Sequence, residues 1–314
     1  MNTTIDLTHL NTFTCVNLKV VCKVTSLLEG GPYWGSALHG VLGQSLKQLH
    51  CTAADGVCET CKNSADCTFV EAFKTPAPAG YEHSSKYAEP PQPFIIRKDV
   101  FDKSVFLPGD SFSFELTLIG NAIRLLPVYL EGFAQVGKTG MGKRRGTFEI
   151  VEVLANKKGD GKFVKAQGKN LLKPVDVSSF FDYPAPIEKV ELHFVTPLHI
   201  KEKGEPVVVP QPALFIERLY ERVSLLNHLY CRGAMQPLTK TDLSNWTTNA
   251  EMTTMPFARF STRHNQKIPL WGSIGKLTWN GNITPMMPLL KMGQLVNIGK
   301  MAALGLGQYR LVYG

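Results

Sequence analysis

Two glycine-rich turns occupy equivalent places in the two halves of the chain: Gly137-Lys138-Thr139-Gly140-Met141-Gly142-Lys143-Arg144-Arg145-Gly146 and Gly299-Lys300-Met301-Ala302-Ala303-Leu304-Gly305-Leu306-Gly307. Each closes an apolar stretch that carries a proline near its start. Pro127 precedes Gly137 by ten residues, and Pro288 precedes Gly299 by eleven. A strand-like run follows each turn, Thr147–Val151 and Tyr309–Tyr313. A turn that recurs between a predicted helix and a predicted strand marks a duplicated unit. The fold must therefore build one supersecondary pattern twice.

Glycine permits positive φ and lets a ligand or another backbone approach where a Cβ would block it. Successive N–H groups of such a turn can point at an anion. Lys138, Lys143, Arg144 and Arg145 surround the first turn with positive charge. In the second, Lys300 sits among Gly299, Gly305 and Gly307. Phosphate carried on a polymer or a nucleotide is the expected ligand. A tight connection that needs its glycines only to turn the backbone would have the same sequence. Neither turn is a Walker loop, since no Gly-Lys-Ser/Thr opens a helix after it. Neither is a Rossmann fingerprint, since each follows a helix rather than a strand.

The chain has 314 residues, room for two modest domains. Its 34 lysines and arginines against 26 acidic residues give a net charge of +8, which suits a polyanionic partner such as nucleic acid. No apolar run is long enough to span a bilayer, so no membrane partner is expected. The first residues lack the basic and apolar regions of a signal peptide, and a cytoplasmic location is the expectation.

Taken in order, Asn17–Thr25 reads as a strand and about Ser36–His50 as a helix. Phe94–Arg97 and Ser111–Leu118 read as strands, and a helix from Asn121 leads into the first glycine turn and the strand after it. That order is the ferredoxin-like pattern. Residues 156–186 read as a linker or insertion. The pattern restarts with a strand from Val190, a helix from Pro212, a hairpin pairing Ala258–His264 with Lys267–Trp279, and a helix from Asn282 into the second glycine turn. The expected fold class is α+β: two tandem ferredoxin-like domains, 1–155 with a cysteine-rich insertion at 51–90, and 187–314.

On the first helix Leu38, Leu42, Leu46 and Leu49 form one stripe; Ser36, His39, Gly43, Lys47 and His50 form the next. His39 and His50 lie about 16 Å apart along the axis at about 1.5 Å per residue, so they cannot share one scissile bond. His39 is placed in the first turn, where the helix dipole favours phosphate. Histidine has the pKa range for proton transfer near neutrality. Arg259, Arg263, His264 and Lys267 form a basic cluster suited to a phosphate backbone. Cys51, Cys58, Cys61 and Cys67 form a C-x6-C-x2-C-x5-C pattern, for which a closed structural zinc is expected; unligated thiols or an iron–sulfur cluster would use the same residues. Such a zinc would leave no open position for catalysis.

These residues together resemble the RAMP superfamily of CRISPR systems, and within it the endoribonuclease that cuts precursor CRISPR RNA. The resemblance rests on Arg259-Phe-Ser-Thr-Arg263, Pro269-Leu-Trp-Gly272-Ser-Ile-Gly275 and Gly299 to Gly307. Gly35-Ser-Ala-Leu-His39-Gly40-Val-Leu-Gly43, the cysteine cluster and Gly140-Met-Gly142-Lys-Arg-Arg145 also fit. It implies repeat RNA as the substrate, with other CRISPR effector subunits as partners. It also implies cleavage without a metal cofactor: the 2′-hydroxyl attacks the adjacent phosphate to give a 2′,3′-cyclic phosphate. In that scheme His39 moves the proton, Tyr33 orients it, Lys47 stabilises developing charge, and His50 is the alternative to His39. A RAMP subunit that holds the guide RNA repeat without cutting would share the same turns and fold.

Overall fold

The computed structural model describes residues 6–31, 33–53, 56–58, 60–75, 90–98, 103–183, 185–238, 243–261 and 266–314. In the first unit, strand β1 (Cys15–Val24) leads to helix α1 (Trp34–His50). Strands β2 (Phe94–Arg97) and β3 (Ser111–Ile119), helix α2 (Leu126–Thr139) and strand β4 (Phe148–Ala155) follow. The second unit runs β5 (Lys189–Phe194), α3 (Pro212–Cys231), β6 (Thr247–Ser261), β7 (Gln266–Asn280), α4 (Met287–Val296) and β8 (Tyr309–Tyr313). The main strands are ordered β2-β3-β1-β4 and β6-β7-β5-β8, the short strand Val164–Lys165 extends the first sheet beyond β4, and every pairing is antiparallel. The two units share one strand order, so the duplication read from the glycine turns is a duplication of the ferredoxin-like fold.

Apolar spacing explains how each unit closes. Val20, Cys22 and Val24 alternate along β1 into a core that also takes Leu38, Leu42 and Leu46 from α1. Leu49, on the same stripe, is 37% exposed. A Cβ on Gly132 would come within 2.8 Å of Leu42 and Leu46, so glycine there lets α2 cross α1 closely. Ser45 reinforces the crossing by donating its hydroxyl to the Gly132 carbonyl at 2.9 Å. Pro127 and Pro288 occupy the first turns of α2 and α4, where no intrahelical N–H bond is lost.

Residues 156–186 do more than connect the units. Val175, Val177 and Phe180 are buried in the second unit's core. So is the first segment of the chain, through Leu7, Leu10 and Phe13. Asn227 of α3 donates to the His9 carbonyl at 3.2 Å and to Thr12 Oγ1 at 3.0 Å. The sequence pattern is also surpassed at the hairpin. β6 and β7 pair over fifteen residues each, but β5 pairs only with Lys276–Asn280, so most of the hairpin runs beyond the sheet.

Arg97, at the end of β2, ties the units together. It is 2% exposed. Its Nε donates to Glu115 on β3 at 2.9 Å, and Nη2 donates to Thr117 at 3.2 Å. Nη1 donates to the α4 carbonyls of Gln294 and Leu295 at 2.9 and 3.2 Å, and to Asn297 Oδ1 at 3.0 Å. Arg97→Met is expected to lower the unfolding free energy by about 3 kcal/mol, the scale for removing one partner of a buried ion pair. Urea denaturation reads this directly.

Candidate nucleic-acid interface

The first glycine turn is a small hairpin closed by paired main-chain bonds, Met141 N–H to Gly146 O at 3.0 Å and Gly146 N–H to Met141 O at 2.9 Å. Gly140 and Gly142 have φ of +79° and +75°. A Cβ on Gly142 would stand 2.2 Å from the Glu29 carbonyl oxygen, and one on Gly146 would stand 2.4 Å from Leu28 Cα. Gly137 falls within the last turn of α2, buried against the Phe148 carbonyl. The Lys143 N–H is given to the Glu29 carbonyl and the Arg145 N–H to Gly142. The glycines thus serve close backbone packing, and these amides are committed within the protein. What faces outward is charge: Lys138, Lys143, Arg144 and Arg145 are all exposed. Arg144 pairs with Glu29 at 3.1 Å, an exposed contact of little energetic weight, and Arg145 donates to the Thr139 carbonyl at 3.0 Å.

The second turn has the same backbone habit in a different place. Gly299, Gly305 and Gly307 take φ of +87°, +91° and +68°. Gly305 and Gly307 are buried, which corrects the expectation that they approach a ligand. A Cβ on Gly305 would meet the Ile96 carbonyl oxygen of β2 at 2.6 Å, and one on Gly307 the Ile298 carbonyl oxygen at 1.8 Å. Their bare backbone lets the turn wedge between the two units. Gly299 is half-buried over the His199 carbonyl, and Lys300 next to it is exposed.

Helix α1 meets this wedge. A Cβ on Gly35 would lie 2.0 Å from the Leu304 carbonyl oxygen. The Tyr33 hydroxyl donates to that same carbonyl. Tyr33 is 7% exposed, and burial pushes its phenol well above the ordinary range. It is a tether between the units, so its expected role of orienting a reacting group is corrected. His39 lies four residues beyond Gly35 on the same helix face, one turn from the second glycine turn. Its half-buried ring stacks on Phe94 (centroids 5.4 Å, 14°) and tilts against Phe73 (4.7 Å, 48°). Its Nε2 is 2.9 Å from Gln92 Oε1.

Lys47 and His50 belong to the other end of α1. At about 1.5 Å per residue they are about 12 and 16 Å from His39 along the axis, so the site at His39 does not include them. Lys47 lies beside Gly56, and His50 Nε2 is 3.6 Å from Glu131, beyond a hydrogen bond. The basic hairpin cluster is only partly placed. Arg259 and Lys267 are located by their backbones, in register opposite Ile268 and Phe260; Arg263 and His264 lie outside the described residues.

Cys51, Cys58, Cys61 and Cys67 line one pocket with Phe69 and Val70. Among the described residues, however, no group of three or more His, Cys, Asp or Glu side chains converges closely enough to hold a metal ion. The expectation of a tetrahedral zinc is corrected accordingly. Cys58 and Cys67 pack against the first unit's core and act there as small apolar side chains. Cys15 and Cys22 are core residues, and burial pushes the Cys22 thiol up to about 12.

Two residues near the wedge carried no sequence signal. His199 is 6% exposed and stacked on Trp271 (4.8 Å, 29°), and its Nδ1 donates to the Trp271 carbonyl at 2.9 Å. Its own carbonyl accepts the Lys300 N–H at 2.9 Å, so it pins the second turn to β7. Burial, and secondarily Lys300 and Lys201, hold its imidazole below the ordinary pKa. Gln92 sits in a Pro-rich stretch that reads as plain loop, yet it contacts His39. Tyr33→Phe, which removes the tether to Leu304, is expected to cost about 1 kcal/mol in urea denaturation.

Comparison with known proteins supplies the family. Residues 13–177, more than half of the chain, match the AF_1859_N family model, described as an N-terminal domain. Residues 192–309 match the model of the CRISPR-associated endoribonuclease Cas6. An uncharacterized protein of Archaeoglobus fulgidus is 21% identical over 291 residues, covering 89% of this chain and 92% of that protein. Among solved structures, a Cas6 product complex is similar at a TM-score of 0.55 and 12% identity, over 95% of this chain and 99% of that one. Thermus thermophilus Cas6 is similar at 0.50 and 12%, over 96% and 99%. A partial Cas6-RT-Cas1–Cas2 complex is similar at 0.56 and 12%; this chain is 96% covered but spans only 46% of that chain's length. Among the described residues no helix is long and apolar enough to cross a membrane. The first half is matched by the AF_1859_N model, the second half by the Cas6 model, and the fold is shared with solved Cas6 proteins; the chain belongs to the AF_1859_N family.

Proposed function

We propose that this chain binds CRISPR repeat RNA and cleaves precursor CRISPR RNA into guide RNAs without a metal. The observation that carries the reading is the position of His39. It stands one helical turn from the wedge where α1, β2 and the second glycine turn meet. The exposed cations of the first turn, with Lys300, supply a sugar–phosphate track. In the reaction His39 takes the 2′-hydroxyl proton, the O2′–P bond forms and the P–O5′ bond breaks. The products are a 2′,3′-cyclic phosphate and a 5′-hydroxyl whose proton comes from solvent. Support comes from the match of the second half to the Cas6 endoribonuclease model and from similar Cas6 proteins solved as a product complex and in a Cas6-RT-Cas1–Cas2 complex. We extend the same partners, repeat RNA and other CRISPR subunits, to this chain.

A second reading keeps the RNA and drops the cut: a subunit that holds the repeat-derived end of a guide. One observation favours it. The Tyr33 hydroxyl donates to the Leu304 carbonyl, and Lys47 and His50 lie two and three turns along the helix from His39. Incubating the protein with its repeat RNA in chelator separates the two, because only cleavage yields a cyclic phosphate end. His39→Ala is expected to slow cleavage by about 10²–10⁴-fold, the range for removing a general base. Undiminished cutting would remove His39 from the role. Replacing Lys138 and Lys143 together with alanine is expected to weaken RNA binding and to reduce the slope of log affinity against log salt by about 1.4, at about 0.7 per single-stranded phosphate contact.

A further inference from the structure

We propose that Gln92 is a positioning residue for His39, fixing which imidazole nitrogen carries the proton. This deepens the reading above and rests on His39 as the proton-transfer group. Gln92 Nε2 lies 2.8 Å from the Phe73 carbonyl oxygen, which can only accept. The amide nitrogen must therefore face Phe73, and the amide oxygen faces His39 Nε2 at 2.9 Å. That oxygen also can only accept, so His39 Nε2 donates and the lone pair resides on Nδ1.

Phe73 closes the arrangement twice. Its carbonyl orients Gln92, while its ring packs on the imidazole that Gln92 holds. The ring reaches that place because residue 43, one turn beyond His39, is glycine. A Cβ there would come within 2.4 Å of Phe73. Phe94 stacks on His39 as well, so two aromatic contacts act with the Gln92 hydrogen bond on the ring plane.

A neutral amide in this place has a chemical consequence. A carboxylate on Nε2–H would favour imidazolium and raise the pKa, whereas an amide fixes the tautomer with much less bias in charge. The nitrogen that takes the 2′-hydroxyl proton in the reading above is then Nδ1. Charged groups on the described elements around the ring are these. Glu71 and Lys74 flank Phe73, and Glu71 is paired with Arg124. Arg97 is on the face of β2 opposite Phe94 and is paired with Glu115. Lys300 is on the second glycine turn, Arg259 is on β6, and Lys47 and His50 lie two and three turns along α1.

Nitrogen-15 NMR of the His39 ring in the wild-type protein tests the assignment, and the Nε2–H tautomer is expected. In Gln92→Glu the His39 titration midpoint should rise by about one pH unit or more. The acid limb of the pH–rate profile for cleavage should move up by the same amount. Gln92→Leu should lower kcat while leaving the Kd for repeat RNA unchanged. A wild-type ring protonated at Nδ1, or a midpoint unmoved in Gln92→Glu, would overturn the proposal. The ring spectra are read whether or not RNA is cut, so a failure of the cleavage reading shows up separately. Should Gln92→Glu not fold, the wild-type tautomer decides alone.

Discussion

A buried guanidinium holds the two units of this protein in register. Arg97 cannot lose its charge, and its planar fork must be satisfied where it lies. One side is met by Glu115 and Thr117 in the first sheet, the other by carbonyls at the end of α4. The last carbonyls of a helix have no partner within it and carry partial negative charge, so they suit a cation. Asn297, which also accepts from Arg97, has a φ of +58° and turns the chain out of α4. The same interaction therefore sets where the second glycine turn begins, and with it where Lys300 emerges and what α1 rests on.

The duplicated units spend identical glycine chemistry differently. The first turn folds back onto its own unit, against Leu28 and Glu29, and leaves its cations outside. The second drives into the other unit, against Ile96 and Arg97 of β2 and Gly35 of α1. One copy has become a charged surface feature and the other a wedge. His39 lies beside the wedge, so the candidate chemistry belongs to the boundary between copies rather than to either copy.

Much of the architecture was legible because it rests on local periodicity. The alternation in Ser111–Leu118, the leucine stripe Leu38–Leu42–Leu46, and the prolines that open α2 and α4 each dictate an element. The repeat of that order dictates the fold. The site was less legible because its parts are distant in sequence and ordinary in composition. Whether Gly305 admits a phosphate or a neighbouring backbone depends on Ile96, some two hundred residues earlier. Tyr33 looked free to act because nothing local shows that its hydroxyl meets Leu304. Gln92 lies among prolines, where no period singles it out. The cysteine spacing suggested a metal, but two of the four thiols turn toward apolar packing, which spacing alone does not encode.

The chain's ends are exchanged between the units. Leu10 and Phe13 lodge in the core built by the second half, and Ala302–Leu304 lie against the first half's β2 and α1. On a ribosome the opening segment must wait for α3 before it has anywhere to dock. The four main strands of the first half, all made by Ala155, leave β2 and the start of α1 uncovered until Ala302–Leu304 emerge. Neither half can reach its final state as an autonomous nascent domain, so assembly of the wedge, and of any RNA-processing site beside it, waits until both halves have been made.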